Sequence, residues 1–384
     1  MKKLLPIFAL LVLFFAPALH VHAQDANPTP VVEKAKVIQV LSSKSVIIAG
    51  TTTSEPVQKL QALILDGVDQ GQTVTIENDF PSQLQAGEEF YVTRNVDPSD
   101  NSVSYGYLDP NRLPAMGILI GLLVLLVFMF GGKQGIRGLL SLVGSIAFIV
   151  YVLLPSVLHG YSPVLVSMGV ASLIIVIGSY VTHGFSKTTS SAVLGMIVTI
   201  LLTGALAFAS IHYVHLTGFA SEESTYLNVS ENLHLDFAGL LLGGILIGLL
   251  GVLYDAAIGQ AVSVDELRQV GPHLSRVAIY RRAIRIGREH IGALMNTLAI
   301  AYVGASLPLL LLFYDTSQIS PWLVINKEIF ATEIVRIVIG SIGLVLAVPI
   351  TTVIATLILV HKKTGTKEVM LEEEKKLEHF EHKH

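Results

Sequence analysis

Between residues 113 and 360 the chain carries seven apolar runs, at 113–131, 138–158, 162–182, 190–211, 237–261, 291–313 and 333–360. Each is long enough to cross a ~30 Å hydrocarbon layer at about 1.5 Å per residue. Backbone groups in lipid must bond to one another, so runs of this length fold as helices. Composition agrees, with 14% charged residues where a soluble chain holds roughly a quarter. The expected fold is a mainly α, polytopic membrane bundle of about seven transmembrane helices, with the lipid bilayer as its first partner. A formal charge of −4 provides no basic field for nucleic acid. The absence of cysteine removes disulfides, thiolate nucleophiles and sulfur metal sites.

The charges of the connections orient the bundle, because Lys and Arg collect on the cytoplasmic side. Alternate connections hold Lys133, Arg137 and Lys187, then Arg268, Arg276, Arg281, Arg282, Arg285 and Arg288, and finally Lys362 and Lys363. The connection 212–236 has Glu222, Glu223, Glu231 and Asp236 and no base. The amino terminus is therefore expected outside and the carboxyl terminus inside, followed by a charged cytoplasmic tail at 361–384.

Residues 1–23 have the layout of a signal peptide: Lys2 and Lys3, an apolar run from Leu4 to Leu19, then Val21-His22-Ala23. An uncleaved signal anchor is the competing reading. The segment 24–112 is acidic, with 12 acids against 6 bases. It holds short β-rich runs at 31–40, 45–49, 57–65, 72–77, 88–94 and 102–108, broken by Gly, Asp and Pro. Thr73-Val74-Thr75-Ile76-Glu77 alternates as a half-buried strand does. A small extracytoplasmic all-β, barrel-like domain is expected, with no His cluster, nucleophile elbow or phosphate loop in it.

The fifth run carries Gly239, Gly243, Gly244, Gly248, Gly251 and Gly259, read as one stripe for close helix packing, with Asp255 among them. A carboxylate inside a span faces a partner or a wet cavity. Two roles are open to Asp255: binding a proton, cation or polar solute, or holding the bundle together by pairing with a base such as Arg288. The sixth run adds Asn296, Thr297, Tyr302, Ser306 and Pro308, and Pro308 frees a backbone carbonyl that something else must satisfy. Asp255, Asn296, Thr297 and Tyr302 form the candidate ion or solute site. In the seventh run Glu333 and Arg336 stand one turn apart, as a salt bridge or a gate, with Arg288 a further candidate for that role.

The stretch 274–290 is amphipathic. Arg281, Arg285 and Arg288 fall on one face, as lipid head-group ligands for a helix lying along the inner leaflet, or as an ordinary topology-setting loop. Ser275 is its expected cap. His212 and His215, with His234, have spacing that suits zinc, but a ligand-free interfacial role is favoured and no metal or cofactor is expected.

Three blocks in order carry a family resemblance. They are Gly251-Val252-Leu253-Tyr254-Asp255-Ala256-Ala257, then Asn296-Thr297-Leu298 with the run from Ala301 to Phe313, then Glu333-Ile334-Val335-Arg336 with the run from Gly340 to Pro349. Over residues 30–360 the chain resembles the YibE/F family of bacterial multipass membrane proteins, and its exported domain makes it similar to the longer, YibE-type member. It departs from the pattern at Ala257-Ile258-Gly259, where a bulkier hydrophobic residue and then Ser are expected. The resemblance implies the bacterial plasma membrane and a paired YibF-type paralogue, with a homo-oligomer as the alternative partner. It implies no settled activity and no substrate. The residues support a permease or transporter subunit first and, second, a non-transporting scaffold or envelope-assembly factor whose outer domain docks a partner. With no paired-Asp motif, His-Glu-x-x-His or Ser/Lys dyad, an enzyme is not expected.

Overall fold

The computed structural model describes residues 31–47, 54–97, 101–220, 222–230, 235–315 and 320–360. The expected signal segment, the tail 361–384 and His234 lie outside them. The described residues form two compact units, one ending at Met129 and the other beginning at Phe130.

The first unit holds an antiparallel five-stranded sheet in the order β3-β2-β1-β4-β5. Its strands are β1 (Val31–Ile47), β2 (Ser54–Ile64), β3 (Thr73–Asn78), β4 (Glu89–Val96) and β5 (Val103–Pro110). The two runs expected at 31–40 and 45–49 are a single strand. The polar Ser42-Ser43-Lys44 stretch reads as a turn by composition. Register shifts near Val37 and Val40 absorb the irregularity instead, and β1 pairs with β2 out to Ile47 opposite Ser54. The result is a half-barrel rather than a barrel closed by ladders. The segment after β3 covers the gap. Buried Gln58 accepts from the Leu84 N–H (2.8 Å) and donates to the Leu84 carbonyl (3.2 Å), and this seats Leu84 among Leu60, Ile76, Phe90 and Tyr107.

From Leu113 onward the described chain is helical. Five helices are long and apolar enough to cross a membrane, and a bent pair brings the number to as many as six. The count differs from seven because the first two runs are joined. The helix α1 (Leu113–Phe148) continues through a π-helical turn (Ile149–Leu153) into α2 (Leu154–Leu158). Its 46 residues amount to about 69 Å of helical contour, more than twice the hydrocarbon thickness. Gly132 divides it, with φ 53° and ψ −140°, a conformation that glycine adopts readily. The expected loop 132–137 is thereby reduced to one non-helical residue.

The bundle continues with α3 (Pro163–His183), α4 (Lys187–Tyr213), the short α5 (Glu222–Ser230), α6 (Phe237–Val270), α7 (Arg276–Ala305), α8 (Leu307–Asp315), α9 (Pro321–Ile325) and α10 (Glu328–Leu359). Ser186, Asp236 and Ser275 cap α4, α6 and α7 by accepting from Thr189, Gly239 and Ala278 N–H groups. The core is the contact of α4, α6 and α10, filled by Met196, Ile200, Leu249, Leu253, Leu344 and Ala347.

Four polar side chains of the bundle share one arrangement: a hydroxyl on one helix lies over a glycine of another. Ser167 sits on Gly243, Thr203 on Gly343, Thr351 on Gly195 and Tyr302 on Gly248, and a Cβ at any of the four glycines would collide with the hydroxyl-bearing side chain. The Ser167, Thr203 and Thr351 oxygens have no hydrogen-bond partner. A glycine Cα–H is a weak donor to such an oxygen, and only glycine lets the helices come this close. The glycines of α6 are therefore not one stripe. Gly239 and Gly243 are buried against the bundle, whereas Gly244, Gly251 and Gly259 are exposed with open space around them.

The basic stretch is not a separate helix. It is the first half of α7, and its apolar side is taken by protein: Ile279, Ala283 and Gly287 are buried. Gln260 of α6 donates to the Ala283 carbonyl at 2.7 Å, and Arg276 Nε donates to the Val360 carbonyl at 2.6 Å. Arg281, Arg285, Arg288 and also Ile286 remain exposed.

Candidate functional site

The span that follows is broken. Pro308 has no N–H to give to the carbonyl of Gly304, and α7 ends at Ala305 with the Ser306 N–H closing on Tyr302 O at 3.0 Å. The chain restarts as α8 at an angle of 70°. A break of this kind leaves polar backbone at depth, which is tolerated where protein or a cavity surrounds it. Here a cavity of about 550 Å³ lies against it, lined by Phe237, Leu241, Ser306, Thr332, Glu333 and Arg336 among others. A second, apolar pocket of about 240 Å³ adjoins it, lined by Tyr302, Val303, Phe313, Phe330 and Ile334, and shares Ser306, Leu309 and Glu333 with the first.

The charged pair on this wall belongs to α10. Arg336 Nη1 meets Glu333 Oε1 at 3.1 Å, one helical turn apart, with side chains 27% and 22% exposed. The Arg336 guanidinium lies over the Tyr302 ring, 5.7 Å from its centroid, a cation–π contact. Tyr302 is held there because Gly248 leaves room for its hydroxyl. The pair is incompletely satisfied. Glu333 Oε2 and Arg336 Nε are buried without a hydrogen-bond partner, and so is Thr332 Oγ1 nearby. Unmade bonds of this kind cost about 1–3 kcal/mol each and more at a charge.

The candidate residues thus separate. Tyr302 joins Glu333 and Arg336, the pair expected from their spacing. Asp255, Asn296 and Thr297 are exposed on the surface of the unit and line neither cavity. Asp255 lies between the points where α6 meets α7, Gly248 with Tyr302 and Gln260 with Ala283. It joins none of the ion pairs seen among the described residues, and neither does Arg288. Thr297 Oγ1 donates back to the Ala293 carbonyl of its own helix at 3.0 Å.

His212 and His215 are exposed. His212 Nδ1 stands 3.3 Å from the Phe208 carbonyl, and Asp236 is spent on its cap. Among the described residues no three such side chains gather as a metal site.

Thr332 and Glu328 were not legible as site residues. Glu328 Oε1 accepts from Thr217 N (2.6 Å) and Gly218 N (2.9 Å), fixing the loop beside the cavity. An acid in a first helical turn signals only a favourable dipole contact, and its loop partner is 111 residues away.

Comparison with known proteins adds the family. Neither curated proteins nor solved structures give a match. A family model described as YibE/F-like protein matches residues 119–361, more than half of the chain and the whole of the region that builds this site. The chain belongs to the YibE/F-like family of membrane proteins.

Proposed function

We propose that the chain is a permease or transporter subunit of the bacterial plasma membrane that takes a proton, cation or polar solute at the Glu333–Arg336 pair. One observation carries this reading: an incompletely bonded ion pair lines a cavity at a helix break. Discontinuous helices with polar backbone and a few convergent side chains are how transporters build solute sites in a membrane. In the proposed orientation the cavity opens toward the extracytoplasmic side. The exposed arginines of α7 support that orientation by marking the opposite, cytoplasmic end, where they meet anionic head groups. Asp255, on the exposed side of α6, is then secondary to Glu333.

The test is flux in proteoliposomes holding the full chain, with Glu333→Gln and Asp255→Asn compared at equal amounts of folded protein. Glu333→Gln is expected to lower flux by about a hundredfold, as loss of a charged group at a preorganised site does, and Asp255→Asn by less than about threefold. Normal flux in Glu333→Gln sinks the assignment.

A second reading, a non-transporting scaffold, is favoured by the uncovered face of α6. There Gly251, Asp255 and Gly259 stand in line and exposed, beyond the turn that Tyr302 covers, a surface that another helix would pack against. The chain has no cysteine, so Gly251→Cys gives a unique handle. Efficient crosslinking through it, with no flux above empty liposomes, selects the scaffold.

A further inference from the structure

We propose, building on the permease reading, that the solute is a small amphipathic zwitterion: a molecule with an ammonium, an anionic group and a compact apolar portion. The argument begins with what the pair lacks. Glu333 Oε2 is an acceptor without a donor, and Arg336 Nε is a donor without an acceptor. A cation alone answers the carboxylate and competes with Arg336 for it. An anion alone answers the guanidinium and repels Glu333. One molecule bearing both groups answers both and leaves the Glu333–Arg336 pair neutral, and that matters because an uncompensated charge away from water is costly.

The guanidinium offers further N–H groups suited to a planar carboxylate or a phosphate. Thr332 Oγ1, 4% exposed overall as a residue and unpartnered, adds a hydroxyl beside them. The neighbouring pocket selects the remainder of the molecule. Its volume is about 240 Å³ and its walls are Val303, Phe313, Phe330, Ile334 and Ile337, with the shared Glu333 at its junction with the larger cavity. A charged head held at Glu333 therefore places an attached branched alkyl group among these side chains, where each buried CH₂ contributes about 0.8 kcal/mol.

The same chemistry comes from two sources, a free amino acid or the head group of an ethanolamine phospholipid, and the experiment separates them. Full-length protein is placed in nanodiscs of phosphatidylglycerol alone or with phosphatidylethanolamine, and binding of radiolabelled L-leucine is measured. Competitors are 3-methylbutylamine, which lacks the carboxylate, 4-methylpentanoate, which lacks the ammonium, and glycine, which lacks the alkyl group. L-leucine is expected to bind, and each competitor to bind at least about tenfold more weakly, because a site that loses one of its bonding partners is left unsatisfied.

Glu333→Gln should erase the discrimination against 4-methylpentanoate, and Arg336→Gln that against 3-methylbutylamine. Tyr302→Phe, a milder change, should retain both if the fold is intact. Leucine binding that is lost only in phosphatidylethanolamine discs, and restored on dilution of that lipid, assigns the zwitterion to the lipid. Equal binding of leucine and both single-charge analogues overturns the inference while leaving a permease. No binding in either disc, with flux of another solute that Glu333→Gln blocks, does the same. Absence of binding and of any such flux overturns both.

Discussion

Each unit contains an acid, an arginine and a tyrosine in contact, and the two trios are completed differently. In the β unit Asp69 Oδ2 accepts from Arg94 Nε at 2.6 Å and from the Tyr105 hydroxyl, while Oδ1 accepts from Gln72 Nε2 at 3.0 Å. Every oxygen of that carboxylate is used. In the helical unit Glu333 and Arg336 each keep a buried atom with no partner, and Tyr302 offers Arg336 its ring face. The first trio ties a turn to two strands, and both oxygens of its carboxylate are engaged within the unit. The second leaves bonding capacity unused beside a cavity, and the proposed binding role rests on that contrast.

The largest effect is expected from splitting the second trio. Arg336→Met leaves the Glu333 carboxylate without its only cationic partner among the described residues. Breaking a fully buried pair costs about 3–5 kcal/mol; with a quarter of each side chain still exposed, a loss of about 2–4 kcal/mol is expected. Thermal unfolding of the full chain in detergent measures it. The double variant Glu333→Gln/Arg336→Met should recover more than half of that loss, since no charge is stranded. If the double variant is as unstable as the single, the pair is not the unit described here.

A smaller effect follows from the glycine that positions the tyrosine. Gly248→Val forces the Tyr302 ring off Gly248 and away from Arg336, and overpacking of this kind costs about 1–3 kcal/mol. Gly251→Val, three residues on but facing open space, should cost under about 1 kcal/mol. Equal losses at the two positions would remove Gly248 from the account of the site.

How much of this was legible in the sequence follows from what a one-dimensional pattern records. Hydropathy located α3, α4 and α6 because apolar length is what lipid demands. It underestimated α6 and α7, which run through Asp265, Glu266, Arg276 and the following arginines, since charged residues read as loop although a helix leaving the membrane needs no apolar side. Proline at 308 announced the break, and the spacing of Glu333 and Arg336 announced their pair. Which residue would meet the pair was not readable. Tyr302 pairs in sequence with Asp255, and Gly248 and Asp255 share a face of α6 two turns apart, but Tyr302 reaches Gly248 and Arg336 while Asp255 stays exposed. A helix's rotation about its axis is set by where its neighbours are, and glycines on two faces of α6 look like one stripe in a string. Asp69 went unnoticed for a similar reason: an Asp before Gln-Gly suits a turn by itself, and its partners lie 25 and 36 residues away.

The smallest effect concerns the first trio, and pH exposes it. The hydrogen bond from Arg94, then that from Tyr105, holds the Asp69 carboxyl below its ordinary value of 3.8, and the same contact with Asp69 raises Arg94. Burial, then the bond to Asp69, pushes the Tyr105 hydroxyl up to about 12. A depressed carboxyl stabilises the fold above its unfolded value and ceases to as pH falls through the folded one. A raised phenol stabilises it below pH 10 and ceases to as pH approaches 12. Hydrogen exchange of the full chain should therefore show the turn at 66–72 and strand β4 best protected between about pH 4 and pH 10 after correction for intrinsic rates. Asp69→Asn should flatten the acid side of that profile and, at neutral pH, speed exchange there roughly two- to fivefold, the range of a solvent-screened pair. The helical unit, which shares none of these bonds, should exchange unchanged. An Asp69→Asn variant that loosened α10 as well would show that the clasp and the site are one system after all.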